Sequence, residues 1–331
     1  MNTTPSATPR PTSTTASDRP GSDRDQPRVD ATQRAHPAGE RALVLGGGGS
    51  TGNAWLIGVI AGLFDPGLDV TTADLTIGTS AGSTAAAQIA GATPIELFAA
   101  TVAPSPQQRT GPVGSDRGRA PTRPVVDHLE RRRAIIAAAA DAADMRRRMG
   151  AAALEMDAAS DGSWQAQWRA TVAARLPSRR WPQRTVRITA VDAQTGEPVV
   201  FDRHSGVDLV DAVAASCASA IPYRIGDRRY IDGGFRSNAD NADLAAGYAR
   251  VLVLSPFGGR TLTPLEWGTH LATQVDELRA SGSRVETIFP DSDAEHMFGA
   301  NAMDPSLRSP AAQAGYDQGR ALAEQVTELW R

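Results

Sequence analysis

Two stretches in the first half of the chain share one pattern, in which an apolar run ends in small residues and a helix-like segment follows. The first is ALVLGGGGSTGNAWLIGVIAGL at 42–63, and the second is DLTIGTSAGSTAAAQIAGA at 74–92. Strand, turn and helix in tandem are typical of a doubly wound, mostly parallel sheet. This arrangement constrains the fold more than any other feature of the sequence.

The later part of the chain continues the alternation of helix-like and strand-like runs. We predict mainly helix over 126–176, a hairpin around QTGE at 194–197, and strands at 228–234, 250–257 and 284–290. An amphipathic helix is predicted at the end of the chain. The fold class expected from these elements is α/β, with helices on both sides of the sheet.

The first 40 residues differ in composition from the remainder. They are rich in Thr, Ser, Pro, Asp and Arg and hold few apolar residues, so we predict that 1–40 is disordered and that 41–331 forms the folded domain. Within that domain, a mainly helical insertion is expected at about 103–180. The start of the chain has no apolar core of a secretory signal, and 54–64 is too short to span a membrane, so a cytoplasmic location is expected.

Charge and residue usage exclude several classes of function. The net charge is −3, which gives no broad basic field for nucleic acid. All 34 basic residues are Arg, so a lysine nucleophile, a Schiff base and a Walker-type phosphate loop are excluded. No His, Cys or carboxylate cluster has metal-ligand spacing, and we expect neither a metal nor an organic cofactor.

GTSAG at 78–82 matches the G-x-S-x-G pattern of a nucleophile elbow. An apolar run precedes it and an Ala-rich segment follows, so Ser80 is expected at a sharp turn before a helix. Gly78 and Gly82 would let the strand and the helix approach each other. The alternative interpretation is a helix N-cap serine between two packing glycines.

A second candidate lies in RRYIDGG, where Asp232 ends a predicted strand and precedes Gly233 and Gly234. Aspartate before two glycines is often only a turn former. A carboxylate at the C-terminal end of a strand nevertheless faces the edge where open α/β sheets bind ligands. There it can accept the proton of Ser80 directly, and partial burial would raise its pKa.

These motifs resemble those of the patatin-like phospholipase (lipid acyl hydrolase) family over about residues 42–320. The family's glycine-rich oxyanion loop, its G-x-S-x-G box and its D-G-[GA] box occur here in the same order, as GGGGSTG, GTSAG and DGG. The oxyanion loop aligns through four glycines, namely Gly47, Gly48, Gly49 and Gly52.

The resemblance implies a fold, an activity and a set of site residues. It implies a three-layer α/β/α fold with a mostly parallel central sheet and a nucleophile elbow. It also implies a serine acyl hydrolase, in which Ser80 is the nucleophile, Asp232 is the base, and N–H groups of Gly47, Gly48 and Gly49 form the oxyanion hole. The expected partners are a lipid or acyl ester and, transiently, a membrane surface; the oligomeric state is left open.

The sequence departs from the family at two positions and leaves three alternatives. Thr51 stands where many relatives have Arg or Lys, and Gly46 stands where some have Asp. The glycines also fit the dinucleotide fingerprint G-x-G-x-x-G, although GTSAG then offers a hydroxyl where an acidic residue is wanted. An ordinary Ser-Asp-His triad would use His270 or His296. The third alternative is a non-catalytic lipid-binding module.

Overall fold

The computed structural model of the chain describes residues 39–103, 123–158 and 162–331, without the side chains of 123–128. The disorder predicted for 1–40 falls largely on 1–38, which lie outside the described residues. Gly39 and Glu40 belong to the first strand, Gly39–Leu45, so the folded part includes two residues before the predicted boundary at 41. The insertion at about 103–180 stays a prediction.

Eight strands and nine helices are present in the described part of the chain. The strands are β1 (Gly39–Leu45), β2 (Leu75–Gly78), β3 (Thr185–Asp192), β4 (Pro198–Phe201), β5 (Tyr223–Ile225), β6 (Arg228–Asp232), β7 (Tyr248–Leu254) and β8 (Arg284–Ile288). The helices are α1 (Gly49–Phe64), α2 (Ala81–Ile89), α3 (Pro94–Val102), α4 (Arg123–Ala138), α5 (Ala142–Ala158), α6 (Trp164–Arg175), α7 (Leu209–Ser216), α8 (Leu271–Ala280) and α9 (Arg308–Trp330).

All eight strands belong to one sheet, in the order β5-β6-β3-β2-β1-β7-β8, with β4 also paired to β3. The five strands from β3 to β8 in this order pair in parallel. The strands β4, β5 and β6 pair antiparallel. The predicted α/β fold with a mostly parallel central sheet is thus confirmed, and β1–α1 and β2–α2 are its two tandem units.

Helices cover both faces of the sheet, because successive side chains of a buried strand point to opposite sides. Leu43 and Leu45 of β1 pack in the cluster that contains residues of α1, α2, α7 and α9. Ala42 and Val44 of the same strand pack on the other face with residues of α8. Near β6, that second face is covered by α4 and α5.

The tightest helix pair consists of α1 and α9, which touch backbone to backbone. A side chain on Gly58 would overlap the carbonyl group of Ala312, and one on Gly315 would overlap the carbonyl group of Trp55. Because these glycines have no side chain, the backbones of the two helices pack directly against each other. This contact fixes α1, and with it the glycine run that begins the helix.

The structure also contains elements that the sequence analysis did not predict, namely α3, α7 and β5. The start of α3 carried a readable signal, because Thr93 and Glu96 form a capping box around Pro94. Helix α7 ends in the small-residue run AVAAS, which has no clear periodicity by itself.

Candidate active site

Ser80 lies between the end of β2 and the first residue of α2 in a strained backbone conformation. Its φ is 52° and its ψ is −115°, a region that residues with a Cβ avoid. A side chain on Gly82 would overlap the backbone of Leu45, so only glycine lets α2 start so close to β1. The Ser80 N–H group donates to the Ser216 hydroxyl at 2.9 Å. These contacts hold the serine at a sharp turn, as expected of a nucleophile elbow.

Strand β3 brings Asp232 to this turn. Gly78 at the end of β2 is paired with Ile188, and Asp232 at the end of β6 is paired with Ala190. The two strands therefore end two β3 residues apart. The Ser80 hydroxyl donates to Asp232 Oδ2 at 2.8 Å, so the two residues expected to form the dyad are in hydrogen-bond contact.

The carboxyl group of Asp232 is buried, with 8% of the residue exposed. Burial raises its pKa, because desolvation penalises the charged form. The hydrogen bonds from the Gly234 N–H group and the Ser80 hydroxyl, and the charge of Arg132, oppose that rise. The Gly234 N–H group donates to Oδ1 at 2.8 Å and leaves Oδ2 to the serine. Such a carboxylate is oriented as a base and is more basic than an exposed aspartate.

The glycine loop supplies fewer free donors than the sequence analysis expected. The Gly47 N–H group donates to the Ala239 carbonyl oxygen at 2.8 Å. It is therefore not free to stabilise an oxyanion, and the expected set of donors is corrected to exclude Gly47. The N–H groups of Gly48 and Gly49 donate to no other described residue. A Cβ built on Gly47 would lie 3.5 Å from Ser80 Cβ, which places the loop beside the serine.

A third free donor follows the serine. The N–H group of Ala81, at the start of α2, also donates to no other described residue. The residue after the nucleophile is a known oxyanion donor in G-x-S-x-G elbows, so the motif itself carried a signal that the sequence analysis missed. Free N–H groups at a helix start favour negative charge.

The other motif glycines mark close backbone approaches around the site. A side chain on Gly233 would overlap the hydroxyl of Thr189, and one on Gly52 would lie 3.1 Å from Pro256 Cβ. One on Gly78 would lie 2.6 Å from Ser83 Cα. These positions therefore support the site by letting backbone segments pack tightly.

Asp240 is a second buried acid near the site that the sequence analysis did not identify. A side chain on Gly46 would overlap its Oδ1 atom, so the carboxyl group fills the space beside the residue where some relatives carry Asp. That oxygen has no hydrogen-bond partner in the described part of the chain. Burial raises the pKa of Asp240 to about 7, and the Ser255 hydroxyl partly opposes this shift.

The remaining reactive side chains do not join the Ser80–Asp232 pair. His270 Nε2 lies 2.8 Å from the Thr263 carbonyl oxygen, and His296 Nδ1 lies 2.9 Å from the Asp293 carbonyl oxygen. Neither imidazole hydrogen-bonds to Ser80 or Asp232.

Cys217 lies under the elbow, where its thiol donates to the Ser80 carbonyl oxygen at 3.1 Å. Burial raises the pKa of this thiol to about 11, so it stays protonated near neutral pH. It therefore packs against the elbow as a neutral group.

The described residues contain no group of three or more His, Cys, Asp or Glu side chains that could hold a metal ion. No helix within 39–103, 123–158 or 162–331 is both long and apolar enough to cross a bilayer.

Comparison with known protein families shows to which family the chain belongs. The model of the family described as patatin-like phospholipase matches residues 43–245, which include the glycine run, GTSAG and DGG. The chain therefore belongs to the patatin-like phospholipase family, whose members are lipid acyl hydrolases. The resemblance predicted from the sequence is confirmed.

Two solved structures are similar to the chain. VipD from Legionella pneumophila is 12% identical, with a TM-score of 0.39, over 88% of this chain and 67% of VipD. The type III effector protein ExoU is 17% identical, with a TM-score of 0.33, over 88% of this chain and 54% of ExoU. The chain thus spans about two thirds of the first protein and about half of the second. No curated protein sequence matches it.

Proposed function

We propose that this protein hydrolyses acyl esters of lipids through a Ser80–Asp232 dyad. The observation that carries the proposal is the 2.8 Å hydrogen bond from the Ser80 hydroxyl to Asp232 Oδ2 at a strained elbow. Membership of a lipid acyl hydrolase family supports the substrate class.

Acylation begins when Ser80 Oγ attacks the ester carbonyl carbon. Asp232 Oδ2 accepts the serine proton as the new C–O bond forms, and the carbonyl electron pair moves onto oxygen. Collapse of the tetrahedral intermediate expels the alcohol, which takes the proton from Asp232. Water then attacks the acyl-enzyme and gives a proton to Asp232. Collapse of the second tetrahedral intermediate breaks the bond between the acyl carbon and Ser80 Oγ, which takes the proton from Asp232 as the fatty acid leaves.

The negative oxygen of the intermediate is stabilised by backbone donors. We assign this role to the N–H groups of Gly48, Gly49 and Ala81, which donate to no other described residue. These donors are fixed before the reaction, so they stabilise the developing charge without reorganisation. The cation that many relatives carry is absent at Thr51, which is fully buried and whose hydroxyl lies 3.4 Å from the Ala302 carbonyl oxygen. The proposed oxyanion hole is therefore built from backbone alone.

The triad and the binding-module alternatives are weaker. A triad needs a histidine against the serine, whereas His270 and His296 contact carbonyl groups elsewhere. A binding module has no need of a buried base in contact with a strained serine. Contact with a membrane surface stays a prediction, and its test is sedimentation with lipid vesicles.

The direct test is labelling with a fluorophosphonate probe, followed by a panel of phospholipid and neutral acyl esters. We expect one label, located at Ser80 by peptide mass spectrometry, and release of fatty acid by the unlabelled protein. A label on another residue would contradict the nucleophile assignment. Probe-resistant protein that still binds lipid vesicles would favour the non-catalytic module.

A further inference from the structure

A tight turn at residues 238–241 follows the DGG motif. It hydrogen-bonds to the glycine loop, to the elbow and to the DGG motif itself. The Asn238 side-chain oxygen accepts hydrogen bonds from the N–H groups of Asp240 and Asn241 at 2.7 and 2.8 Å. Asn241 is fully buried and has a φ of 56°, a left-handed conformation that asparagine tolerates better than most residues. The Ala239 carbonyl group in the same turn accepts the Gly47 N–H group.

The orientation of the Asn241 amide is set by an ion pair. Its oxygen accepts from Arg236 Nη1 at 3.1 Å, and Arg236 is held by two hydrogen bonds to Asp243, at 2.8 and 2.7 Å. A guanidinium group can only donate, so the amide end that faces Arg236 must be the oxygen. The NH₂ end of Asn241 therefore points away from Arg236.

That NH₂ group connects the two halves of the proposed dyad. It donates to the Thr79 hydroxyl and to the Gly233 carbonyl oxygen, both at 3.0 Å. Thr79 directly precedes Ser80, and Gly233 directly follows Asp232. One rigid, buried amide thus spans the backbone on either side of the Ser80–Asp232 hydrogen bond.

We infer that Asn241 is the positioning residue that sets the separation of Ser80 and Asp232, an inference that rests on the proposed dyad. Asn241 hydrogen-bonds to neither Ser80 nor Asp232 and acts through Thr79 and Gly233. Ser80 is held in an unfavourable backbone conformation, which persists only where the surroundings impose it. The amide imposes it from outside the elbow and sets the position of the base at the same time.

The first test is Asn241→Asp, which keeps the size of the side chain and its acceptor toward Arg236 but removes the NH₂ donor. We expect kcat to fall on the order of 10²-fold, because small displacements of reacting groups cost about that much. KM should stay within about twofold, since substrate binding is unaffected. The rate of fluorophosphonate labelling should fall in parallel with kcat.

Gln318→Glu is the matched control, because Gln318 has a buried NH₂ group with a similar pair of acceptors. That group donates to the Phe289 carbonyl oxygen at 2.7 Å and to Asp291 at 2.9 Å, away from the elbow. We expect Gln318→Glu to lower the melting temperature with kcat unchanged. If Asn241→Asp, assayed well below its melting temperature, loses no more kcat than Gln318→Glu, the inference is overturned.

Thr79 provides a second and independent variant. Thr79→Val removes the hydroxyl that accepts from Asn241 and should lower kcat on the order of tenfold, whereas Thr79→Ser should keep the wild-type rate. Adding Thr79→Val to Asn241→Asp should cost little more than Asn241→Asp alone, because both remove one connection. If the fold-losses in kcat of the two single variants multiply in the double variant, the inference is overturned. If Asn241→Asp does not fold, Thr79→Val alone decides, and wild-type kcat in Thr79→Val would overturn the inference. Failure of the dyad itself would appear separately, as turnover by Ser80→Ala.

Discussion

The two tandem strand–turn–helix units, β1–α1 and β2–α2, have the same local architecture but present different groups to the site. The first turn contains glycines and offers bare backbone N–H groups at Gly48 and Gly49. The second turn presents one side chain, Ser80, at a φ that glycine would adopt more easily. In the proposed site, glycine stands where backbone N–H groups would face the substrate, and a strained serine stands where a hydroxyl would face it.

The two units also differ in the buried acid that lies against each of them. Asp232 accepts two hydrogen bonds beside the second unit, from the Ser80 hydroxyl and the Gly234 N–H group. Asp240 lies against Gly46 of the first unit with its Oδ1 atom unpartnered. The two hydrogen bonds orient the carboxyl group of Asp232, whereas burial raises the pKa of Asp240 to about 7, so that Asp240 titrates near neutral pH.

The largest expected effect on kcat comes from removing the Ser80 hydroxyl of the second unit. Ser80→Ala should lower kcat on the order of 10⁴- to 10⁶-fold, as removal of a nucleophile does in serine hydrolases, and should abolish probe labelling. Ser80→Gly should be equally inactive but melt at a higher temperature than Ser80→Ala, because both lack the hydroxyl and only glycine relieves the positive φ. Equal melting temperatures would show that the elbow is not strained.

Loss of the base beside the second unit should have the next largest effect. Asp232→Asn should lower kcat on the order of 10³- to 10⁴-fold, since the amide cannot accept the serine proton. In the wild type, burial raises the pKa of Asp232, so the acid limb of the kcat/KM profile should lie above the ordinary value of 3.8. His270→Ala and His296→Ala are the matched controls and should keep most activity. A histidine variant as inactive as Asp232→Asn would instead indicate a triad.

In the first unit, we expect kcat to fall when a side chain is added to the glycine loop, since that loop acts through its backbone. The Cβ of Gly48→Ala would lie 2.6 Å from Pro256 Cβ and 2.8 Å from Gly52 Cα, so the loop must shift and turn its N–H groups. Loss of one oxyanion donor costs about 10²- to 10³-fold in kcat, and we expect a decrease of that size. Thr51→Val in the same loop should change kcat far less, because its hydroxyl is not a donor in the proposed oxyanion hole. Comparable losses in the two variants would contradict that assignment.

The smallest effect concerns stability and its dependence on pH. Asp240 has a pKa of about 7 in the folded protein against an ordinary 3.8, so burying its charged form destabilises the fold. That penalty is absent when both states are protonated, grows as pH rises from about 4 to about 7, and is constant above. Asp240→Asn should therefore raise the melting temperature at pH 8 by more than at pH 4. An equal gain at both pH values would contradict the raised pKa.

The sequence predicted those parts of the site that are encoded locally. An apolar strand, small residues at the turn and a helix-forming run follow one another within about twenty residues, so GTSAG could be recognised as an elbow before the fold was known. The donor at Ala81 was equally local and could have been predicted from the same motif. The capping box of α3 is a further local signal that the sequence carried.

Contacts between distant segments could not be predicted in this way. No pattern around Gly47 shows that its N–H group bonds to Ala239, and no pattern around Asn241 shows that its amide joins Thr79 to Gly233. The same holds for the carboxyl group of Asp240, which reaches Gly46 from another loop. These contacts depend on the sheet order, in which β1, β2 and β6 are brought together around the same edge.

The sequence by itself therefore determined the class of fold and the family, and it singled out Ser80 and Asp232 as the two residues of the proposed dyad. Each of these follows from short segments, whose backbone preferences and apolar pattern act within a few residues. The tertiary structure alone decided which glycine N–H groups are free and how far the Ser80 hydroxyl lies from Asp232. Both depend on hydrogen bonds between segments far apart in the chain, and these bonds exist only once the core has packed and excluded water from them.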